Sequence, residues 1–429
     1  MASAFALKAL FTISNFALVT LAARTLGLEV FGNYSLLFSA AGLLSIVATF
    51  GQQVLVMRFW SEYVAGGRCD LLKGSLLFSG AVCLTGCVLV GLPFYVWCTL
   101  AYSSSIGAAV TLYLVTVSLV MTTSHLIRTA VGIEAGDGFG NLLLTIPAIS
   151  YLGYCLAAQR EAELAALFGV MAAGGAAGLL IHLRLLCRSL NEKFPGFWRT
   201  RPAFDLSRWL ARSTKLWASN GLEASNQYLD VLVVGALLDP AAAGAYFVVT
   251  RVANILSVAT DAIHMFSTRH IPDLYYHREL TQLDALLDMV ARVTIAVIIG
   301  GLLTIAAGGS QLLAIFNGAY APFHGALLIL SFGAASIAAA GPSASLLMLT
   351  GHEGRYLAVV GGSVLLRVVG LFVLLPHFGL TGGAIATTAA LLAMALVLRH
   401  SAKDWTGIEG SVLRLIGQFR RDDKVRMAD

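Results

Sequence analysis

The sequence predicts an all-α polytopic membrane protein, with about twelve transmembrane helices in two six-helix lobes around a central cavity. Three observations predict it. Charged residues make up only 12% of the 429-residue chain, against about 25% in soluble globular domains. Hydrophobic residues reach 58% and the mean hydropathy is +0.81, too apolar for a disordered or water-solvated fold. Forty-three glycines stand against nine prolines, and small residues let membrane helices approach closely.

A span needs roughly 20 apolar residues. Twelve segments meet that length: 3–23, 31–57, 74–97, 105–127, 139–158, 163–183, 214–238, 242–267, 288–308, 323–349, 356–375 and 382–399. Each is a continuous apolar run without period-2 alternation, which argues against a β-barrel. The first is read as a membrane helix and not as a cleaved leader, because its pattern runs directly into the second span. The longest polar interruption divides six spans from six. The expected organisation is therefore a lobe over 1–183, a cytoplasmic linker with an interfacial helix over 184–213, a lobe over 214–399 and a basic tail over 400–429.

Placing the N-terminus in the cytoplasm puts 22 of the 28 lysines and arginines into cytoplasmic connections and the tail. Positive residues collect on that side of a membrane, so both termini are expected to be cytoplasmic. The net charge of +5 then reports topology and carries no case for nucleic acid. Trp60, Trp97, Trp209, Trp217 and Trp405 fall near span ends and read as interfacial anchors. The stretch 205–217 is amphipathic and reads as a helix in the interface, and the tail reads as lying on the inner leaflet. Pro147 and Pro342 mark candidate kinks.

The halves look duplicated. A shift of 212 residues sets Gly32 and Tyr34 on Gly244 and Tyr246, and Leu44-Ser45 on Leu256-Ser257. Six spans return the chain to its starting side, so the repeats would be parallel ones about an axis along the membrane normal.

No phosphate loop, metal-ligand spacing or nucleophile motif occurs, and the chain is expected to be a transporter without catalytic residue, metal or cofactor. Cys83 and Cys87 share a helix face and read as packing. The chemistry lies in the polar residues inside spans, where each charge is costly. The seventh span carries Asn220, Glu223, Asn226, Gln227 and Asp230, four of them at helical spacing on one face. The eighth carries Arg251, Asn254, Ser257, Asp261 and His264. An Asp230–Arg251 ion pair is expected, either bracing the hairpin or coupling to an ion. Arg367 stands mid-span in the eleventh. It either pairs across helices with Glu223 or Asp230 or meets an anionic group, which a guanidinium binds bidentately. Lys8 and Asn15 share a face of the first span and extend a cationic wall, unless Lys8 snorkels to the surface. Arg128 reads as an anchor at a span end.

Several stretches resemble one family. Ala23-Arg24-Thr25-Leu26-Gly27 followed by Phe31-Gly32-Asn33-Tyr34 resembles the join of the first two helices in polysaccharide exporters, the Wzx-type flippases. These belong to the multidrug/oligosaccharidyl-lipid/polysaccharide (MOP) superfamily, together with the MATE exporters and the lipid II flippase. Asp230 to Gly235 with Gly244, Tyr246 and Arg251 is similar to the family's seventh and eighth helices. Phe316 to Tyr320 and Phe378 to Ala386 are similar to its motifs ahead of the tenth and twelfth. The chain departs at Ser213-Thr214-Lys215, where the family often carries a proline.

The resemblance implies a MATE-like fold in a bacterial inner membrane. It implies translocation of an undecaprenyl-pyrophosphate-linked oligosaccharide by alternating access, for O-antigen, lipopolysaccharide or exopolysaccharide synthesis. It further implies coupling to a proton or sodium gradient and association with membrane lipids and other polysaccharide-assembly proteins. Arg251, Arg367, Asn220, Asn226, Asn254, Lys8 and Asn15 are then the expected cavity residues, with Glu223 and Asp230 as coupling or pairing acids. A cation-coupled multidrug exporter of the same fold is the alternative. A glycan polymerase follows behind it, because no large external loop or acidic catalytic motif is present.

Overall fold

The computed structural model describes residues 2–277, 279–349 and 351–415. All regular structure among them is helical: α1 (Ala2–Thr25), α2 (Leu28–Thr49), α3 (Gln52–Ala65), α4 (Cys69–Ala101), α5 (Ser104–Ala130), α6 (Phe139–Ala157), α7 (Leu164–Lys193), α8 (Leu206–Leu237), α9 (Pro240–Tyr276), α10 (Leu280–Phe316), α11 (His324–Ala339), α12 (Ser343–Leu349) and α13 (Glu353–Thr406). A π-helical turn, Glu134–Gly138, leads directly into α6. Nine helices among the described residues are long and apolar enough to cross a membrane.

Three spans are interrupted, in each case at glycine. α2 ends at Phe50 and Gly51, both left-handed with φ 46° and 75°. α11 and α12 are separated around Gly341, φ 64°. α13, at 54 residues far longer than a bilayer is thick, breaks at Gly379, φ 56° and ψ −142°. Its arms, 353–378 and 380–406, are the eleventh and twelfth spans. Of the prolines expected as kink sites, Pro342 stands in the turn beside Gly341 that separates α11 from α12, while Pro93 and Pro147 lie inside helices. A proline locks φ near −65°, whereas only glycine reaches these positive values without strain.

The packing divides into two units, Met1–Leu232 and Val233–Asp429. Displaced by 212 residues, the end of α1 and the start of α2 fall on the end of α8 and the start of α9, and the ranges of α4 and α7 fall on α10 and the second arm of α13. Internal pairings repeat as well. In the first unit α2, α4 and α5 pack mutually and α5 packs on α7; in the second α9, α10 and α11 pack mutually and α11 packs on α13. The aligned Tyr34 and Tyr246 are each fully buried. Tyr34 meets Phe168 of α7, with ring centroids 5.5 Å apart. The Tyr246 hydroxyl lies 2.9 Å from Thr387 Oγ1 on the second arm of α13.

Several capping contacts set helix starts. The Ser103 side chain accepts from Ile106 N at 3.3 Å to begin α5, and Asp239 accepts from Ala242 N at 2.7 Å to begin α9.

The segment expected as an interfacial helix is the opening of α8; its Trp209 turns into protein, while Leu206 and Leu210 stay exposed. Trp209 is fully buried, packed on Phe59 and Phe78 at 5.7 and 5.3 Å. Its Nε1–H donates to Tyr63 Oη over 2.9 Å. Trp60 is buried in the same cluster. The reason is geometric: α3 and α4 offer an aromatic socket that excludes water more fully than a headgroup layer. The basic side of the segment is used too, with Arg208 and Arg212 holding Glu62 at 2.6 and 3.0 Å. Burial alone would raise the Glu62 carboxyl, but the Arg212 and Arg208 contacts outweigh it and hold it below the ordinary value.

The start of the tail is likewise protein-bound. Arg399 holds Glu409 at 2.9 Å, while Arg414 reaches Asp284 at 2.9 Å and also pairs with Asp288, both on α10. The rest of the basic tail lies outside the described residues.

Candidate functional site

In the first unit, α8 packs on α2 through Ser213, Trp217 and Tyr228. A Cβ on Gly42 would come within 2.6 Å of the Tyr228 ring, and one on Gly51 within 2.8 Å of Ser213 O. A buried relay closes this contact. Ser79 Oγ donates to Gln52 Oε1 at 2.8 Å, Gln52 Nε2 to Ser213 Oγ at 2.7 Å, and Ser213 Oγ to Phe50 O at 2.5 Å. The bond to Phe50 O pins the left-handed break. Ser213 is thus both donor and acceptor at this contact.

The expected polar stripe runs beside this packed face. Glu223 and Gln227 are exposed, Asn220 and Asn226 half-buried, and Asp230 buried at 7% exposure. On α1, Asn15 Nδ2 donates to Phe11 O of its own helix at 3.0 Å. The Lys8 side chain lies outside the described residues, as does that of Asp261.

In the second unit, α9 buries Tyr246, Val249, Val252, Ala253 and Leu256. Arg251 and Asn254 lie off that face, half-buried and exposed respectively. The Arg251 guanidinium sits over the Phe247 ring, 4.7 Å from its centroid, a cation–π contact. Arg367 is 2% exposed. It shares the buried face of the first α13 arm with Val360, Ser363, Leu371 and Leu375. Ser363 Oγ donates to Ala390 O at 3.1 Å, so that face is turned toward the second arm. The two residues of the expected Asp230–Arg251 pair belong one to each unit.

One cluster escaped the sequence reading. Arg128, expected as an anchor, is held by Asp137 of the π turn through Nε at 3.2 Å and Nη2 at 2.5 Å. His182 of α7 is fully buried, with Nδ1 3.0 Å from Thr123 Oγ1. A readable signal existed: Gly174, Gly178 and His182 are spaced by four on one helix face. A Cβ on Gly174 would strike Leu143 O at 1.9 Å, so that face is a close helix contact and its histidine is enclosed. Cys83 and Cys87 are buried free thiols in the same unit. Among the described residues no group of histidines, cysteines and acids could hold a metal ion.

The geometry defines a class: a duplicated, multi-pass helical membrane protein with ionisable groups inside its spans. Comparison with solved structures places the fold more closely. The chain is similar to an inward-facing multidrug resistance MATE family transporter of the MOP superfamily, with a TM-score of 0.72 at 12% identity, covering 92% of this chain and 94% of that one. It is similar to the lipid II flippase MurJ in an inward closed conformation, with a TM-score of 0.64 at 12% identity over 92% and 87%. A Pyrococcus furiosus MOP superfamily transporter, described as having a binding pocket of reversed polarity, matches at 0.57 and 12% over 94% and 93%. The fold is that of the MOP transporters. No sequence-family profile matches the chain, and no curated protein does.

Proposed function

We propose that the protein is a flippase that moves a lipid-linked oligosaccharide, joined through a diphosphate such as undecaprenyl pyrophosphate, between the leaflets of a bacterial inner membrane by alternating access. The carrying observation is Arg251. Its permanently charged guanidinium lies roughly 16 Å along α9 from the helix start, half-buried over Phe247, inside a fold shared with a lipid II flippase. A cation so placed suits an anionic head better than a cationic drug. Arg367 supplies a second guanidinium, Asn220, Asn226 and Asn254 offer hydrogen bonds for sugars, and Asp230 and Glu223 serve coupling or pairing.

The test is a deletion strain assayed for lipid-linked oligosaccharide on the cytoplasmic leaflet, complemented by Arg251→Ala and Arg367→Ala. The reading expects oligosaccharide trapped inside and loss of complementation at normal protein level. Unchanged export by both variants overturns the assignment of these residues. Drug sensitivity without trapped oligosaccharide overturns the flippase reading in favour of a multidrug exporter.

A further inference from the structure

His182 is enclosed by α5, the π turn, α6 and its own helix. Its protonation state follows from the neighbouring hydroxyl. Thr123 has a single hydroxyl hydrogen, and Thr123 Oγ1 lies 2.9 Å from Leu119 O and 3.2 Å from Val120 O. That hydrogen is committed to the helix carbonyls, so at the 3.0 Å contact His182 Nδ1–H is the donor and Thr123 Oγ1 the acceptor. A neutral ring then carries a bare lone pair on Nε2. Nε2 has no hydrogen-bond partner, and neither has the buried Ser124 Oγ. Both approach Gly140, where a Cβ would meet Ser124 Oγ at 2.2 Å and His182 Cε1 at 2.8 Å. The backbone of Ala135 and Gly136, in the π turn, borders the ring.

This is an unusual way to bury a histidine. A structural one satisfies both nitrogens; here one is kept open beside a π turn, a distortion frequent at functional sites. The glycines explain how the site exists. Gly136 lets the turn approach α5, since its Cβ would lie 2.5 Å from Ser124 O, and Gly140 leaves room for both polar atoms.

We propose that His182 is a proton-binding site of the first unit, taking up one proton at Nε2 to become an imidazolium whose new N–H faces Ser124 and the π turn. The inference deepens the transport reading by naming the proton as the coupling ion. The titratable and charged groups on the surrounding elements are Tyr113, His125 and Arg128 on α5, Glu134 and Asp137 on the π turn, Tyr151, Tyr154 and Cys155 on α6, and Arg184, Cys187, Arg188, Glu192 and Lys193 on α7. Asp137 and Arg128 neutralise each other, and His125 Nδ1 is engaged by Met121 O at 2.8 Å.

The experiment is nitrogen NMR of the full chain in lipid nanodiscs, with ¹⁵N-labelled histidine, titrated between pH 8 and 5. The expected result is a histidine that is protonated on Nδ1 at pH 8, becomes an imidazolium within that window and is missing in His182→Gln. The same signal persists in His125→Gln. If His182→Gln does not fold, Ser124→Ala identifies the ring by displacing its signal. A His182 ring that stays neutral to pH 5, or is protonated on Nε2 when neutral, overturns the proposal. No glycan enters this measurement, so its failure leaves the flippase reading standing, and failure of the export assay leaves the proton site standing.

Discussion

Gly51 lies so close to Ser213 that a Cβ on the glycine would come within 2.8 Å of the serine carbonyl oxygen. The break between α2 and α3 is therefore shaped by the helix it receives. Gly51→Ala adds a left-handed alanine, about 1–2 kcal/mol, to a clash with backbone that cannot swing aside. Gly67 is the control, with φ 64° and nothing within 4 Å of its Cβ position. Thermal unfolding in detergent should show Gly51→Ala clearly more destabilised than Gly67→Ala, which pays only the conformational cost. Equal losses would mean that the α8 contact does not constrain the break.

Tyr63→Phe removes the acceptor of the Trp209 indole N–H. The indole is fully buried, so its N–H is left without a partner, at a cost of about 1–3 kcal/mol. A double-mutant cycle with Trp209→Phe should recover part of this as coupling energy. Strict additivity would show that the bond contributes nothing beyond packing.

Glu409 supports a pH dependence. Burial alone raises its carboxyl, but hydrogen bonds from Arg399 and Ser411 and the Arg399 charge hold it below the ordinary 4.5. A depressed carboxylate stabilises the fold above its unfolded pKa, and that contribution is lost as the pH falls through the lower folded value. The melting temperature of the wild type should therefore fall on acidification below about pH 4.5. Glu409→Gln should be less stable near neutrality and show a shallower fall.

Arg367→Lys keeps the charge and loses the planar fork. If the residue meets a diphosphate bidentately, export by this variant should drop about 10- to 100-fold, the equivalent of one charge-assisted hydrogen bond. Full activity in the lysine variant would reduce Arg367 to a point charge.

Much of the fold was legible. The span expected over 139–158 is α6, Phe139–Ala157, because hydropathy and length suffice to mark a buried helix. The duplication was legible through Tyr34 and Tyr246, whose burial the structure repeats. The break beside Gly341 was marked by Pro342, but those at Gly51 and Gly379 were not, because hydropathy measures apolarity and is silent on φ. Trp60 and Trp209 were misread for a related reason. A tryptophan at a span end looks the same whether it faces headgroups or a partner far away in the chain, here Tyr63 for Trp209. The polar stripes on α8 and α9 are read from spacing alone. His182 and Asp137 were passed over because neither carries a motif. Their meaning comes from a π turn that brings α5, α6 and α7 together.

Composition and periodicity alone determine that this chain crosses a membrane many times, in two similar halves, with a few charges it must house at depth. They do so because apolar length and the cost of a buried charge are local quantities. Which histidine is enclosed, which arginine is paired and which face of α8 is packed are decided by contacts between residues far apart in the chain. Only the tertiary structure, through the close approaches its glycines permit, settles those.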